Sequence, residues 1–252
     1  MQRPRSSPAI APPDFLRLAG HPLRWQILGL LAAGDRQVGE LVELIGKPQN
    51  LVSYHMGLLR RSGLVRARRS SADGRDSYQI LDLKRCGELL AETGSALHPA
   101  LRSAGPTQPS TAPETAAVLF LCTGNSSRSQ MAEALLRVRS SEHVQARSAG
   151  IQPKPVHQDA VRVMHERGVD LSGARSKHVD EFTGDHFDHV ITLCDRVREV
   201  CPPFPGVQNI AHWSTPDPAN RPGGIAAFRD TAAELDERIG FLLHRLGQPA
   251  AT

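Results

Sequence analysis

Cys122 and Arg128 stand six residues apart in the stretch 118–133, VLFLCTGNSSRSQMAE, where a short apolar run ends in the cysteine and the arginine opens a helix-like segment. A five-residue loop bent around a helix N-terminus turns successive backbone N–H groups inward and makes an anion-binding nest. Arg128 adds a planar fork that matches a tetrahedral oxyanion. The same positive field favours a thiolate at Cys122, aimed at the centre of the anion it faces. The expected oxyanion cradle is therefore Thr123, Gly124, Asn125, Ser126, Ser127, Arg128 and Ser129, with Ser129 donating to the sulfur and Asn125 bracing the loop. A bare cysteine–arginine spacing arises by chance; here the apolar strand before it, Gly124 within it and the helix after it supply the context the chemistry needs. The sequence has no G-x-x-x-x-G-K-[ST] run, which argues against a nucleotide-binding loop.

A cysteine that attacks a phosphate-like centre also needs an acid for the departing oxygen. Asp217, held between Pro216 and Pro218, is the candidate. Two more thiols, Cys194 and Cys201, lie in the same half of the chain, although a simple phosphoryl transfer needs only one. Seven residues of α-helix rise about 10 Å, whereas disulfide-bonded Cα atoms lie about 4.4 to 6.8 Å apart. The segment between these cysteines must loop or unwind for them to join, and Pro202 with Pro203 ends any helix there. No metal site is expected: C-x2-C is absent, and His186 and His189 have no cysteine at ligand spacing. Cys86, the lone thiol of the first half, reads as a small buried hydrophobe.

The elements that must position these groups follow from the pattern of apolar residues. In the second half, strand-like runs at 117–121, 189–193 and 207–211 alternate with helical segments, one through Met131, Leu135 and Leu136 and a closing one through Phe228, Leu235, Ile239, Leu242 and Leu246. Such alternation predicts an α/β domain with a parallel sheet covered on both faces. The first half predicts a helix from Pro22 to Gly34, a second through Val38, Leu41, Val42 and Ile45, and a third from Pro48 to Arg61. Strand-like runs at 64–68 and 77–81 then flank the turn signal Asp73-Gly74.

On a helical wheel the third helix places Leu51, Val52, His55, Met56, Leu58 and Leu59 on one side. Gln49, Asn50, Ser53, Tyr54, Gly57, Arg60 and Arg61 fall on the other. That outward face is short, polar and basic at its end, which suits a helix laid in a major groove. Arg66, Arg68, Arg69 and Arg75 of the following hairpin could track phosphates. The expected DNA-binding set is Gln49, Asn50, Ser53, Tyr54, Arg60, Arg61, Arg68, Arg69 and Arg75, with His55 a packed core histidine.

Residues 1–105 hold 15 Lys+Arg against 9 Asp+Glu and residues 106–252 hold 15 against 17, so a basic half is joined to a mildly acidic one. Two functions are implied, the first on a polyanion. A chain of 252 residues fits two domains. They are expected as a disordered tail at 1–13, a winged helix-turn-helix domain at 14–103, a Pro/Ser/Thr linker at 104–116 and an α/β domain at 117–247. The longest apolar run, 27–33, is too short to cross a bilayer. The first residues lack the apolar core of a secretory signal. The expected location is cytoplasmic, where four cysteines are catalytic or metal-binding rather than structural.

Over roughly 14–100 the chain resembles the ArsR family of winged-helix repressors, through HPLRWQIL at 21–28, VGEL at 38–41 and QNLVSYHMGLLRRSGLV at 49–65. The resemblance implies a homodimer through the N-terminal domain on a double-stranded DNA operator. Arsenic sensors of that family often carry a cysteine pair near Val38–Glu40; this sequence has none there. From about 116 to 247 the chain resembles the low-molecular-weight tyrosine phosphatase fold, through CTGNSSRS at 122–129, Ser148-Ala-Gly150, Ser176-Lys177 and Asp217-Pro218. Cys194 and Cys201 add a resemblance to the thioredoxin-coupled arsenate reductases.

That branch implies the substrate arsenate and a catalytic set of Cys122, Arg128, Asp217, Cys194 and Cys201, with thioredoxin as electron donor and no tightly bound cofactor. Cys122 attacks arsenate, Cys194 attacks Cys122, and Cys201 attacks Cys194. Some relatives hold potassium near Asn125, Glu133 and Ser148, but Lys177 stands where a cation ligand would be, and no cation is assigned. The alternatives are a low-molecular-weight tyrosine phosphatase fused to a regulator, and a non-catalytic arsenic-responsive regulator.

Overall fold

The computed structural model describes residues 12–72, 74–98, 101, 116–141, 143–200, 207 and 209–246. The expected tail up to residue 11, the linker stretch 102–115, Asp73, and Cys201 with Pro202 and Pro203 lie outside the described residues. The chain divides into two units, one within 1–67 and 79–105, the other within 68–78 and 106–252.

The first unit opens with a short helix that the apolar spacing does not announce, α1 (Asp14–Ala19), followed by α2 (Pro22–Ala33). Pro22 takes the first helical position, where a missing N–H costs nothing, and the His21 ring accepts from the Leu23 amide. After β1 (Arg36–Gln37), the Glu40 carboxylate accepts the Gln37 amide at the start of α3 (Val38–Ile45). Gly46, at φ +65°, ends that helix in the left-handed region. Then come α4 (Gln49–Arg61), β2 (Val65–Arg69) and β3 (Ser77–Leu81), of which residues 68–69 and 77–78 are counted with the second unit, and α5 (Leu83–Leu97). The strands order as β1-β3-β2.

Val52, His55, Met56 and Leu59 of α4 are buried, and the three apolar ones share a core with Ile27, Leu31 and Leu41. Leu51, placed on this side by the wheel, is instead exposed: it lies in the first turn, at the edge of the stripe. His55 is packed as expected, its ring 4.3 Å from that of His21. Burial lowers its pKa, and the nearby His21 and Arg24 add to the effect.

The second unit is built on a four-stranded parallel sheet of order β5-β4-β6-β7, from β4 (Ala117–Cys122), β5 (Gln145–Gly150), β6 (His189–Thr192) and β7 (Asn209–His212). Its helices are α6 (Arg128–Arg139), α7 (Gln158–Glu166), α8 (Asp195–Val200) and α9 (Ile225–Leu246). Val118 to Leu121, flanked by strands on both sides, are all buried, which is why that run reads as continuously apolar. The stripe of α9 at Phe228, Leu235, Ile239, Leu242 and Leu246 is buried with Met131, Leu135 and Leu136 of α6.

Two elements differ from expectation. The strand β5, QARSAG, is absent from the apolar reading because its buried positions are Ala, Ser and Gly. The last strand begins at Asn209 rather than Val207. Among the described residues, no helix is long and apolar enough to cross a membrane.

Candidate active site

Cys122 ends β4, and the chain then turns through Thr123–Ser127 into the first turn of α6. The carbonyls of this loop are turned outward. Those of Thr123, Gly124 and Ser126 accept the amides of Gln152, Lys154 and His157, at 2.9, 2.9 and 2.8 Å. The Asn125 carbonyl accepts the Ser176 hydroxyl at 2.8 Å. No amide from Gly124 to Ser129 donates to another described residue. Peptide planes with their oxygens tied back leave their N–H groups for an anion.

Two backbone features hold this shape. Asn125 sits at φ +45°, a left-handed conformation that asparagine tolerates better than most residues. Gly150, paired in register with Cys122, lies so close beneath the loop that a Cβ there would stand 2.7 Å from the Thr123 carbonyl and 2.8 Å from the Asn125 amide.

The Cys122 sulfur is buried and lies 2.9 Å from the Ser129 hydroxyl. Asn125 Nδ2 donates to that hydroxyl at 2.9 Å and to Ser148 Oγ at 2.8 Å. Ser148 in turn donates to Glu133. Gln130 donates to both oxygens of Asn125, and the Lys177 amide donates to Asn125 Oδ1 at 2.8 Å. Lys177 Nζ lies 3.1 Å from Glu133 Oε2, with both side chains largely buried. An ammonium thus already neutralises the carboxylate of the Asn125, Glu133 and Ser148 cluster, and these residues do not fit a potassium ion. Among the described residues, no group of three or more His, Cys, Asp or Glu side chains is arranged to hold a metal.

Arg128 is buried at 5% exposure. Its Nη1 donates to the Thr215 carbonyl at 2.8 Å and its Nη2 to Asp217 Oδ2 at 3.1 Å. Its Nε is buried and has no acceptor among the described residues. A buried guanidinium N–H without an acceptor is costly, and an oxyanion in the loop would satisfy it. Asp217 also accepts the Ala219 amide at 3.2 Å, which fixes the carboxylate at the head of a short 3-10 turn.

Cys194, just beyond β6, is buried with its sulfur 3.2 Å from Thr123 Oγ1, in the cradle loop itself. Burial pushes its thiol pKa up, against the pull of Arg128. The structure therefore brings together Cys122, the cradle Thr123–Ser129, Asp217 and Cys194; Cys201 lies outside the described residues.

Asp195 was not singled out in the sequence. Its carboxylate is fully buried in a cage of donors: Arg68 Nη2 at 2.8 and 3.0 Å, the Ser71 amide at 2.6 Å and hydroxyl at 2.8 Å, and Ser214 Oγ at 2.6 Å. The His212 ring Nε2 lies at 3.1 Å. Burial opposes its charge, yet hydrogen bonds from His212, Ser214 and the Ser71 amide, with the Arg68 cation, hold the carboxyl well below the usual range. An Asp after a Cys carries no sequence signal for this, since every partner comes from a distant segment.

On the DNA-directed set, Gln49, Asn50, Tyr54, Arg60, Arg61, Arg69 and Arg75 are exposed and Ser53 is partly so. Arg68 differs, its guanidinium being engaged by Asp195 and by the Ser214 carbonyl at 3.0 Å.

The model of the low molecular weight phosphotyrosine protein phosphatase family matches residues 117–251, and that of bacterial regulatory proteins of the arsR family matches residues 21–67. An arsenate reductase of Halalkalibacterium halodurans is 38% identical over 126 residues, covering 48% of this chain and 91% of that protein. One from Brevibacillus brevis is 41% identical over 104 residues, 41% of this chain and 78% of that protein. A solved arsenate reductase from Archaeoglobus fulgidus is 32% identical, spans 50% of this chain and 98% of its own length, and superposes with a TM-score of 0.44.

Proposed function

Because the chain belongs, through residues 117–251, to the low molecular weight phosphotyrosine protein phosphatase family and carries an arsR-family segment before it, we propose that it is an arsenate reductase joined to a DNA-binding regulator. The observation that carries this reading is Cys194, a second buried thiol hydrogen-bonded into the loop of the first. A phosphatase working through Cys122 alone has no use for it, whereas reduction of a bound oxyanion needs two thiols to give up two electrons. Relatives 38% and 41% identical that are arsenate reductases support the choice of anion.

In this reading the loop amides and Arg128 Nε hold arsenate, and the Cys122 thiolate forms a bond to arsenic while an oxygen leaves with a proton from Asp217. Cys194 attacks the Cys122 sulfur. The sulfur–arsenic bond breaks with its electron pair going to arsenic, which leaves as arsenite, and a Cys122–Cys194 disulfide remains. Cys201 then attacks Cys194 and expels the Cys122 thiolate, leaving a Cys194–Cys201 disulfide for thioredoxin to reduce. No tightly bound cofactor takes part.

The N-terminal domain, 14–103, is assigned a double-stranded operator, bound as a homodimer in the cytoplasm through the exposed face of α4 with Arg69 and Arg75. The linker is taken as 104–116 and the reductase domain as 117–247. The second reading, a phosphatase, is favoured by the family's own description. Arsenate-dependent NADPH oxidation with thioredoxin and thioredoxin reductase separates them. Oxidation that requires arsenate and all three components supports the reductase; steady phosphoester hydrolysis without a thiol reductant, and no such oxidation, supports the phosphatase.

A further inference from the structure

Within the second unit, the segment Arg68–Tyr78 grips one element, and that element is the one the relay must deform. Arg68 and Ser71 hold Asp195 at the first position of α8. Ser70 Oγ donates to Glu199 Oε1 at 2.8 Å near its last turn, and Tyr78 Oη reaches the same oxygen at 3.3 Å. The Tyr78 ring stands 4.5 Å from that of His212, itself a partner of Asp195. The helix is thus held at both ends. It fills the interval between Cys194 and Cys201, and helical residues at that spacing lie about 10 Å apart, too far for a disulfide, whose Cα atoms sit about 4.4 to 6.8 Å apart. A helix run through the whole interval would keep the two positions too far apart, so closing the bond asks α8 to unwind at least in part.

Arg68 is also a cation that a phosphodiester backbone would take, but all three of its guanidinium nitrogens are engaged, Nε by the Ser214 carbonyl at 3.0 Å, Nη1 by the Arg69 carbonyl at 3.3 Å and Nη2 by both Asp195 oxygens, so a phosphate must displace one of these partners. We propose that Arg68–Tyr78 is a redox-released latch on α8. While Cys194 and Cys201 are thiols, the latch keeps α8 helical; closing the disulfide pulls Asp195 and Glu199 from their partners and frees Arg68 for DNA phosphate. This rests on the relay read above. Closing the disulfide removes two electrons and two protons from the thiols, taken by arsenate in turnover or by an added diazene oxidant such as diamide. Linkage makes the effect reciprocal: a polyanion that captures Arg68 favours closure of the disulfide.

The test uses the full chain, reduced or oxidised with diamide, the Cys194–Cys201 bond being verified by peptide mapping, and a mixed-sequence DNA duplex titrated at several salt concentrations. Each phosphate neutralised contributes about 0.9 to the slope of log affinity against log salt. The oxidised chain is expected to show a slope steeper by about 0.9 per Arg68 freed, and Arg68→Ala to show one slope in both states. Equal slopes for the two states of the native chain overturn the proposal.

A second measurement guards against a variant that loses stability overall. Hydrogen exchange of amides 196–200 in the reduced chain is expected to rise about tenfold in Arg68→Ala, and less in Arg68→Lys, which keeps the charge but loses the planar fork, while β4 amides stay unchanged. Exchange at 196–200 that does not respond to either variant overturns the latch. Because diamide closes the bond without arsenate, a chain that changes slope on oxidation yet never reduces arsenate sinks the functional reading and keeps the latch. A chain that reduces arsenate with no change of slope does the reverse.

Discussion

Ser129 Oγ lies 2.9 Å from Cys122 Sγ, and Asn125 fixes its position with a second 2.9 Å bond. The hydroxyl is therefore free to donate to the sulfur. Hydrogen bonds to charged groups contribute about 1.5–3 kcal/mol, a factor of roughly 10–100 in rate. Ser129→Ala should slow the first-order attack of Cys122 by that factor with little change in arsenate affinity, as read by rapid-quench kinetics. A rate within twofold of the native one would remove Ser129 from the site.

Arg128 has its Nη atoms committed to Thr215 and Asp217 while Nε has no acceptor. Lysine keeps the charge but cannot make those bonds together. Arg128→Lys should weaken phosphate or arsenate binding by at least tenfold and release Asp217, lowering kcat as well. Isothermal titration with phosphate, which the cradle should also accept, reads the first effect separately from turnover.

Lys177 and Glu133 form a largely buried pair beneath the cradle. Removing one partner of such a pair typically costs about 3–5 kcal/mol, because the other is left buried and uncompensated. Lys177→Met should therefore destabilise the second unit by that order, and Lys177→Met with Glu133→Gln should recover most of the loss. Hydrogen exchange of the β4 amides measures both. Additive losses would show that the two residues do not act as a pair.

Cys86 packs against the first unit's core, and burial first, then the charge of Asp82, pushes its thiol up to about 11 from 9.0. The folded state thus favours the protonated thiol. Between 9.0 and about 11 the unfolded chain has lost a proton that the folded chain keeps, so this group's contribution to stability is full below 9.0 and is lost as pH rises through that window. Alkylation of Cys86 by iodoacetamide should rise with a midpoint near 11 in the folded chain and near 9.0 in urea. A midpoint at or below 9.0 in the folded chain would contradict the burial and would open Cys86 to a role in sensing.

How far the sequence could be read depended on whether a signal was local. The cradle was legible because a buried strand, a loop with Gly124 and a helix opening at Arg128 are contiguous, and contiguous backbone is enough to make an anion nest. The face of α4 was legible because one helical period sorts His55 and Met56 from Asn50 and Tyr54. Leu51 was misplaced because a wheel says nothing of how far a neighbouring core reaches over the first turn. The strand β5 escaped because a strand lined by Ala146, Ser148 and Gly150 buries little apolar side chain. The pairing of Asp195 with Arg68 escaped for a different reason: the two lie 127 positions apart, and a buried carboxylate is explained only by partners that tertiary structure delivers.

In the proposed relay Cys194 discharges the arsenic-bearing Cys122. This step is tested by mixing the purified Cys201→Ser chain, fully reduced and without any external thiol, with excess arsenate, then counting arsenite and mapping disulfides in the same quenched sample. About one arsenite per chain and a matching Cys122–Cys194 disulfide are expected, with neither formed in Cys122→Ser. Arsenite released without that disulfide, or continued turnover in the absence of Cys201, would contradict the relay.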